Sequence, residues 1–137
     1  MEKILGLDVG TKTIGVATGQ QELQFTTPLK VLSRKSVRAD SVILVELCKE
    51  LNISEVVVGL PLMLDGTEGR SARLARQIGE ALVSHGLIVH YQDERFSTVE
   101  AHRRLLKTGR SARKRKKQID AAAAAVILEA WFYSSRQ

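Results

Sequence analysis

The chain is poor in several kinds of residue, and each shortage excludes a class of protein. Its one cysteine, Cys48, cannot form a disulfide within the chain, and no Cys/His spacing typical of a zinc site occurs. No apolar run is long enough to cross a bilayer, and the N-terminus begins with a strand pattern instead of a signal-peptide core. The sequence therefore predicts a cytoplasmic protein that has no membrane partner.

Acidic residues are missing from one long stretch, and this absence locates the positive charge. The formal net charge is +6, yet outside positions 101–119 only 12 of the 21 Lys and Arg residues remain, against all 15 Asp and Glu residues. Inside that stretch lie nine basic residues: Arg103, Arg104, Lys107, Arg110, Arg113, Lys114, Arg115, Lys116 and Lys117. A solvated basic loop has such a composition, but a polyanion would relieve the repulsion. We expect nucleic acid as the partner, held through its backbone because aromatic residues are only 4% of the chain.

The hydrophobic patterns predict one domain over residues 1–137. Three strands come first, with Pro28 indicating that the third lies at an edge or bends there, and strands and helices then alternate. The predicted strands are Lys3–Val9, Thr13–Thr18, Gln24–Leu32, Glu55–Leu60 and Leu87–Gln92. The predicted helices are Val37–Leu51, Arg70–Ser84, Ser97 to about Lys107, and Gln118–Tyr133, with a basic loop at Gly109–Lys117. This β-β-β-α-β-α-β-α-α order predicts a mixed five-stranded α/β sheet with helices on its faces.

Acidic residues occur where apolar sequence should stop or turn, and Asp8 is the first of them. It ends the first predicted strand, beside Gly10, and shares one strand face with Ile4 and Gly6. A turn-forming aspartate and a metal ligand on a rigid strand both fit this position. The following Gly10–Thr13 turn, with Lys12 at its centre, suits a phosphate through its backbone N–H groups.

A second acidic position is Asp93-Glu94 at the end of the last predicted strand. Successive side chains point to opposite faces of a sheet, so only one of the two acids can share the face of Asp8. The sequence does not decide which one does. The adjacent Arg95 can pair with either acid or bind a phosphate in a bidentate manner.

The third acidic position is Asp120, near the start of an alanine-rich helix. Helical periodicity aligns it with Ala124, Ile127 and Trp131, which form an apolar stripe that should face the sheet. A carboxylate in the first turn is also favoured by the helix dipole. Because the rest of the stripe is apolar, we interpret Asp120 as a functional acid.

Together these motifs resemble the YqgF/RuvX family of the RNase H-like superfamily, whose members are described as Holliday junction resolvases or as nucleases in pre-16S rRNA maturation. The resemblance spans nearly the whole chain, with four motifs in the family's order. They are Leu7-Asp8-Val9-Gly10-Thr11-Lys12-Thr13-Ile14-Gly15-Val16-Ala17, Val57-Val58-Gly59-Leu60-Pro61-Leu62 with Asp65-Gly66-Thr67, Asp93-Glu94-Arg95-Phe96-Ser97-Thr98, and Asp120 with Ala121–Leu128.

The resemblance implies an RNase H-like fold and a nuclease that hydrolyses phosphodiester bonds with Mg²⁺ or Mn²⁺. The implied catalytic residues are Asp8, Asp93 or Glu94, and Asp120, and we take Asp8, Glu94 and Asp120 as the working set of metal ligands. The implied substrate is pre-rRNA or branched DNA. The residues expected to bind it are Lys12, Arg95, Arg110, Arg113, Lys114, Arg115, Lys116 and Lys117.

The chain departs from the wider superfamily at one ligand. Related nucleases often take their second acid from the strand beside the first, but Glu55–Leu60 ends in Gly59-Leu60-Pro61 without a carboxylate there. The second ligand must then come from Asp93 or Glu94 on a strand farther out, or from Asp65 in a loop.

Two other functions fit parts of the sequence. One is a non-catalytic RNA-binding factor in ribosome assembly that retains the nuclease fold. The other is a nucleotide-binding module, because Asp8-Val9-Gly10-Thr11-Lys12 also resembles the phosphate-binding hairpin of actin-like ATPases, but 137 residues leave no room for the second lobe of that fold. A junction resolvase would be expected to act as a two-fold homodimer.

Overall fold

Five strands form one mixed sheet in the computed structural model, which describes residues 2–95 and 112–134, and the side chains of 2–95 and 121–134. The strands are β1 (Lys3–Val9), β2 (Thr13–Gln20), β3 (Phe25–Ser33), β4 (Glu55–Leu60) and β5 (Ile88–Asp93). Their order across the sheet is β3-β2-β1-β4-β5. The meander β1-β2-β3 is antiparallel, and β4 and β5 join parallel to β1. The C-terminal ends of β1, β4 and β5 therefore meet at one edge of the sheet.

In the described part of the chain, three helices cover the sheet: α1 (Val37–Leu51), α2 (Arg70–Ser84) and α3 (Ala112–Ser134). The start of α1 is fixed by Ser36, whose hydroxyl accepts a hydrogen bond from the Ala39 N–H at 3.0 Å. Its end is fixed by Asn52 in the left-handed conformation, as its position in the sequence predicts. No helix in the described part of the chain is long and apolar enough to cross a membrane.

The alternation of side chains along β1 divides the core between the two faces of the sheet. Leu5, Leu7 and Val9 pack with α1 and α2 on one face. Ile4 packs on the opposite face in a cluster that includes Ile127 and Leu128 of α3. Helices on both faces of a mixed five-stranded sheet confirm the predicted fold class.

One predicted element is wrong. The segment expected to be a basic loop, Gly109–Lys117, is helical from Ala112 onward, so α3 begins six residues before the predicted start at Gln118. The reason is composition, because Ala, Arg, Lys and Gln are strong helix formers and no Gly or Pro interrupts the sequence after Gly109. The predicted helix from Ser97 to Lys107 lies outside the described residues, as does Arg110.

Candidate active site

Asp8 is buried at the C-terminal end of β1, with 5% of its surface exposed. The alternation along the strand places it on the same face as Ile4 and Gly6, which is the face covered by α3. The hydrogen-bonded register pairs Leu7 with Val58, so Gly59 of β4 lies beside Asp8. A buried carboxylate is costly unless it has donors or a cation, and β1 holds this one on a central strand.

Glu94 reaches the same place from β5. Its backbone N–H donates to the Leu60 carbonyl at 3.1 Å, which extends the β4–β5 pairing by one residue. Its carboxylate lies over Gly59, where an added β-carbon would be 2.9 Å from Glu94 Oε2. The absent side chain of Gly59 thus leaves room for an acid from the next strand. Asp8 and Glu94 therefore converge on one face of the sheet, at Gly59.

Asp93 lies on the opposite face, which answers the question that the sequence left open. It pairs in register with Leu60, whose side chain belongs to the core under α1 and α2. Its carboxylate accepts hydrogen bonds from the Arg95 N–H at 2.8 Å and from Arg95 Nε at 2.9 Å. The hydrogen bond from the Arg95 side chain, above all, holds the pKa of Asp93 below its ordinary value, so Asp93 is ionised and engaged by Arg95.

The two other predicted acids have different relations to this site. Asp65 lies in the loop after β4, where its Oδ1 accepts from Thr67 Oγ1 at 2.7 Å and from the Thr67 N–H at 3.0 Å. This local turn lowers the pKa of Asp65. Asp120 belongs to α3, one turn before Ala124, but its side chain lies outside the description. Among the described residues, no three acids, histidines or cysteines form a group that could hold a metal.

The direction of α3 along the sheet nevertheless predicts that position 120 comes level with Asp8. A β-carbon on Gly19, which pairs with Ile4, would meet Leu128 and Phe132, whereas one on Gly6 would meet the Ala124 carbonyl and Leu128. Moving along β1 toward Asp8 therefore means moving along α3 toward its N-terminus. Two strand residues and four helix residues each span about 6 Å.

The turn between β1 and β2 carries an exposed Lys12 beside the site. Its ends are joined by a hydrogen bond from the Gly10 N–H to the Thr13 carbonyl at 2.8 Å. A second hydrogen bond reaches the turn from Arg34, whose guanidinium donates to the Gly10 carbonyl at 3.0 Å. Arg34 also forms a part-buried ion pair with Asp40 at 3.0 Å.

The sequence predicts no role for three residues that lie beside these acids or at the first turn: Gly59, Arg34 and Asp40. A glycine inside an apolar strand indicates a close approach by another group, so Gly59 had a signal. Arg34 and Asp40 had none, because only the fold brings a residue after β3 and one in α1 to the first turn.

Comparison with known proteins gives consistent relatives. A family model described as "RuvX: Holliday junction resolvase" matches residues 2–134. Proteins named "Putative pre-16S rRNA nuclease" are similar over most of the chain. That of Anaeromyxobacter sp. (strain Fw109-5) is 43% identical over 130 residues, covering 94% of this chain and 95% of its own. That of Myxococcus xanthus is 39% identical over 135 residues, covering 98% and 89%.

Among solved structures, two resolvases have a similar fold. Thermus thermophilus RuvC in complex with a Holliday junction substrate aligns with a TM-score of 0.59 at 14% identity, over 99% of this chain and 96% of its own. Fowlpox virus resolvase in complex with Holliday junction DNA aligns with a TM-score of 0.58 at 10% identity, over 98% and 99%. Identities this low establish the shared RNase H-like fold alone.

Proposed function

Because the chain belongs to the RuvX family, we propose that it is a divalent-metal-dependent endonuclease that hydrolyses phosphodiester bonds in structured nucleic acid. The observation that carries this proposal is the convergence of Asp8 and Glu94 at Gly59. Two acids from non-neighbouring strands reach one buried place, on the face of the sheet covered by α3.

The donor set fits a hard divalent cation. Carboxylate oxygens are the ligands that Mg²⁺ and Mn²⁺ prefer, and Gly59 leaves open the space that a side chain on β4 would otherwise fill. Asp8 and Glu94 would hold the metal from the sheet. Asp120 would complete the set from α3, since its helical position comes level with Asp8. Bound cations of this kind lower the pKa of water and offset charge on a phosphate.

The protein groups around these acids have separate tasks. Asp8 is held on a central strand, so its carboxylate is positioned before substrate arrives. Lys12, exposed in the adjacent turn, would orient a phosphate next to the acids. Asp93 would act indirectly, because it is bound to Arg95 on the other face of the sheet. That ion pair also means that Arg95 must share its guanidinium between Asp93 and any phosphate it binds.

The basic residues before Asp120 would hold the nucleic-acid backbone. Arg113, Lys114, Arg115, Lys116 and Lys117 all belong to α3, in the two turns or so that precede the acidic position. A cationic helix end beside an acidic site can bind the phosphates that flank the bond to be cleaved. Arg110 would extend this surface by its place in the sequence.

We propose the 5′ region of pre-16S rRNA as the substrate, in the cytoplasm. Relatives at 39–43% identity are named for pre-16S rRNA, whereas the likeness to junction-bound resolvases is confined to the fold. Cleavage of branched DNA is the second candidate, and the family description favours it. A two-fold homodimer would suit that substrate, because a junction presents two equivalent strands.

The deciding experiment offers purified protein a pre-16S 5′ precursor RNA and a four-way DNA junction, each with Mg²⁺, with Mn²⁺ and with EDTA. Metal-dependent cleavage of the RNA supports the proposal, and cleavage of the junction alone favours the resolvase. Binding of both substrates without cleavage contradicts an endonuclease and favours the RNA-binding assembly factor. Sedimentation of the protein with each substrate reports whether a dimer forms.

A further inference from the structure

Arg34 connects the turn after β1 to a distant helix. It directly follows β3, and its backbone N–H donates to the Lys12 carbonyl at 2.8 Å. Its guanidinium donates to the Gly10 carbonyl at 3.0 Å. One residue therefore binds two carbonyls of the turn, on either side of Thr11, and Gly10 is only two residues beyond Asp8.

Asp40 fixes the other side of the Arg34 guanidinium. Its carboxylate accepts from Arg34 Nε at 3.0 Å and from the Lys35 N–H at 3.1 Å, and its side chain is only 2% exposed. Asp40 lies in the first turn of α1, where the helix dipole favours a negative charge. The carboxylate is thus held by two donors and by the start of a capped helix.

Stability alone does not explain a part-buried ion pair at this place. Two charges removed from water often contribute no more to folding than a well-packed apolar pair of similar size. What an apolar pair cannot supply is a donor to the Gly10 carbonyl. The distinctive effect of the Arg34–Asp40 pair is therefore geometric, because it holds the turn in place. The two central residues of this turn, Thr11 and Lys12, are exposed to solvent.

We propose that Arg34 and Asp40 are positioning residues for Asp8. By holding Gly10 against α1, they set the end of β1 so that the Asp8 carboxylate meets Glu94 over Gly59. This inference rests on the proposed function, because it assigns the pair a task in preparing the metal site. Neither residue touches metal or substrate; both act through the backbone of the turn.

The test is the double variant Arg34→Met/Asp40→Asn. Methionine retains much of the arginine volume, and asparagine can still accept from the Lys35 N–H, so the fold is retained while the donor to Gly10 is lost. We expect faster amide exchange at Gly10 in the metal-free protein and Mn²⁺ binding weaker by about 10-fold, as for losses of outer-shell support. Mn²⁺ affinity and Gly10 exchange equal to those of the wild type would overturn the inference.

The variant Arg34→Lys is a second test, because it keeps the positive charge beside Asp40. A single ammonium group cannot span Asp40 and Gly10 as the guanidinium does, so Mn²⁺ binding should again weaken while the unfolding midpoint stays close to that of the wild type. Wild-type Mn²⁺ affinity in this variant would likewise count against the inference.

The control is a more exposed ion pair, Arg76–Glu68, which joins at 2.6 Å. Arg76→Met/Glu68→Gln removes a charge pair near α2 without touching the turn, and it should leave Mn²⁺ affinity unchanged. Asp8→Asn is measured in parallel to separate the two proposals. If Asp8→Asn binds Mn²⁺ like the wild type, the proposed metal site fails; if only the Arg34 variants do so, the positioning inference alone fails.

Discussion

Glu94 occupies the space beside Gly59 that a side chain on β4 would need, with Oε2 only 2.9 Å from where a β-carbon would lie. The strand next to β1 thus provides room for an acid instead of the acid itself. This relationship explains how a chain without a carboxylate at the end of β4 can still present two acids at one place. A larger side chain at position 59 should therefore displace the Glu94 carboxylate.

Gly59→Ala should displace Glu94 with a modest loss of stability. The new β-carbon would press on Glu94 and on the end of the Ile127 side chain, and such overpacking costs about 1–3 kcal/mol. We expect Mn²⁺ affinity, measured by electron paramagnetic resonance, to fall about 10-fold. Gly69→Ala is the control, because its β-carbon would meet only the flexible Met63 side chain at 3.3 Å. Equal Mn²⁺ affinity in both variants would argue against Glu94 as a ligand.

The two neighbouring acids should separate sharply in function. Glu94→Gln should lose most Mn²⁺ binding, because Glu94 lies on the face of Asp8. Asp93→Asn should retain it, since Asp93 is bound to Arg95 on the other face. Loss of the metal in Asp93→Asn would contradict this prediction.

The pKa of Asp93 is lowered from 3.8, so the stability that Asp93 contributes is complete above pH 3.8 and is lost as the pH falls through the lowered pKa. The unfolding midpoints of wild type and Asp93→Asn should therefore converge in acid.

Replacing the basic residues at the start of α3 with glutamine should weaken nucleic-acid binding and make it less dependent on salt. The residues to replace are Arg113, Lys114, Arg115, Lys116 and Lys117. Each phosphate contact that is lost reduces the slope of log affinity against log salt by about 0.7–0.9. Fluorescence anisotropy of a labelled RNA, titrated at several salt concentrations, measures this slope. As a control, Lys30 and Lys49, which lie on β3 and α1, can be changed to glutamine together. An unchanged slope in the α3 variant would exclude this helix end as the binding surface.

Cys48 should be unreactive in the folded protein. It is 1% exposed, and burial raises the pKa of its thiol to about 11. At pH 8 the thiol should react with a disulfide reagent only as fast as the protein unfolds, and added denaturant should accelerate the reaction. Because the raised pKa favours the protonated thiol, its contribution to stability is complete below pH 9 and is lost between pH 9 and about 11. Rapid labelling at pH 8 without denaturant would contradict the packing of α1.

The sequence predicts most of the elements because local signals agree with the final fold. Asn52 ends α1 in a left-handed conformation, and Pro28 lies on an edge strand, as their chemistry requires. The predicted loop at Gly109–Lys117 is wrong because a run of like charges does not prevent a helix where the residues favour one. A high density of charge predicts that a segment is exposed to solvent, whereas helix propensity predicts its backbone conformation.

The site was predictable in its parts but not in its geometry. Strand alternation shows that Asp93 and Glu94 must diverge, but only the register of β4 against β5 decides which acid turns toward Asp8. The hydrogen bond from Arg34 to Gly10 joins residues 24 positions apart, and no periodic pattern in the sequence predicts it. Long-range contacts of this kind follow from topology, which the order of elements constrains without fixing atoms.

The most direct test of the central claim compares cleavage by Asp8→Asn, Asp120→Asn and Glu129→Gln. Glu129 is the control from the same helix, where it accepts a hydrogen bond from Thr26 away from the site. On a pre-16S precursor RNA with Mg²⁺, both aspartate variants should cleave about 1,000-fold more slowly, equivalent to about 4 kcal/mol of barrier. They should bind the RNA as the wild type does, and Glu129→Gln should cleave normally. Wild-type cleavage by either aspartate variant would contradict a shared metal site built from β1 and α3.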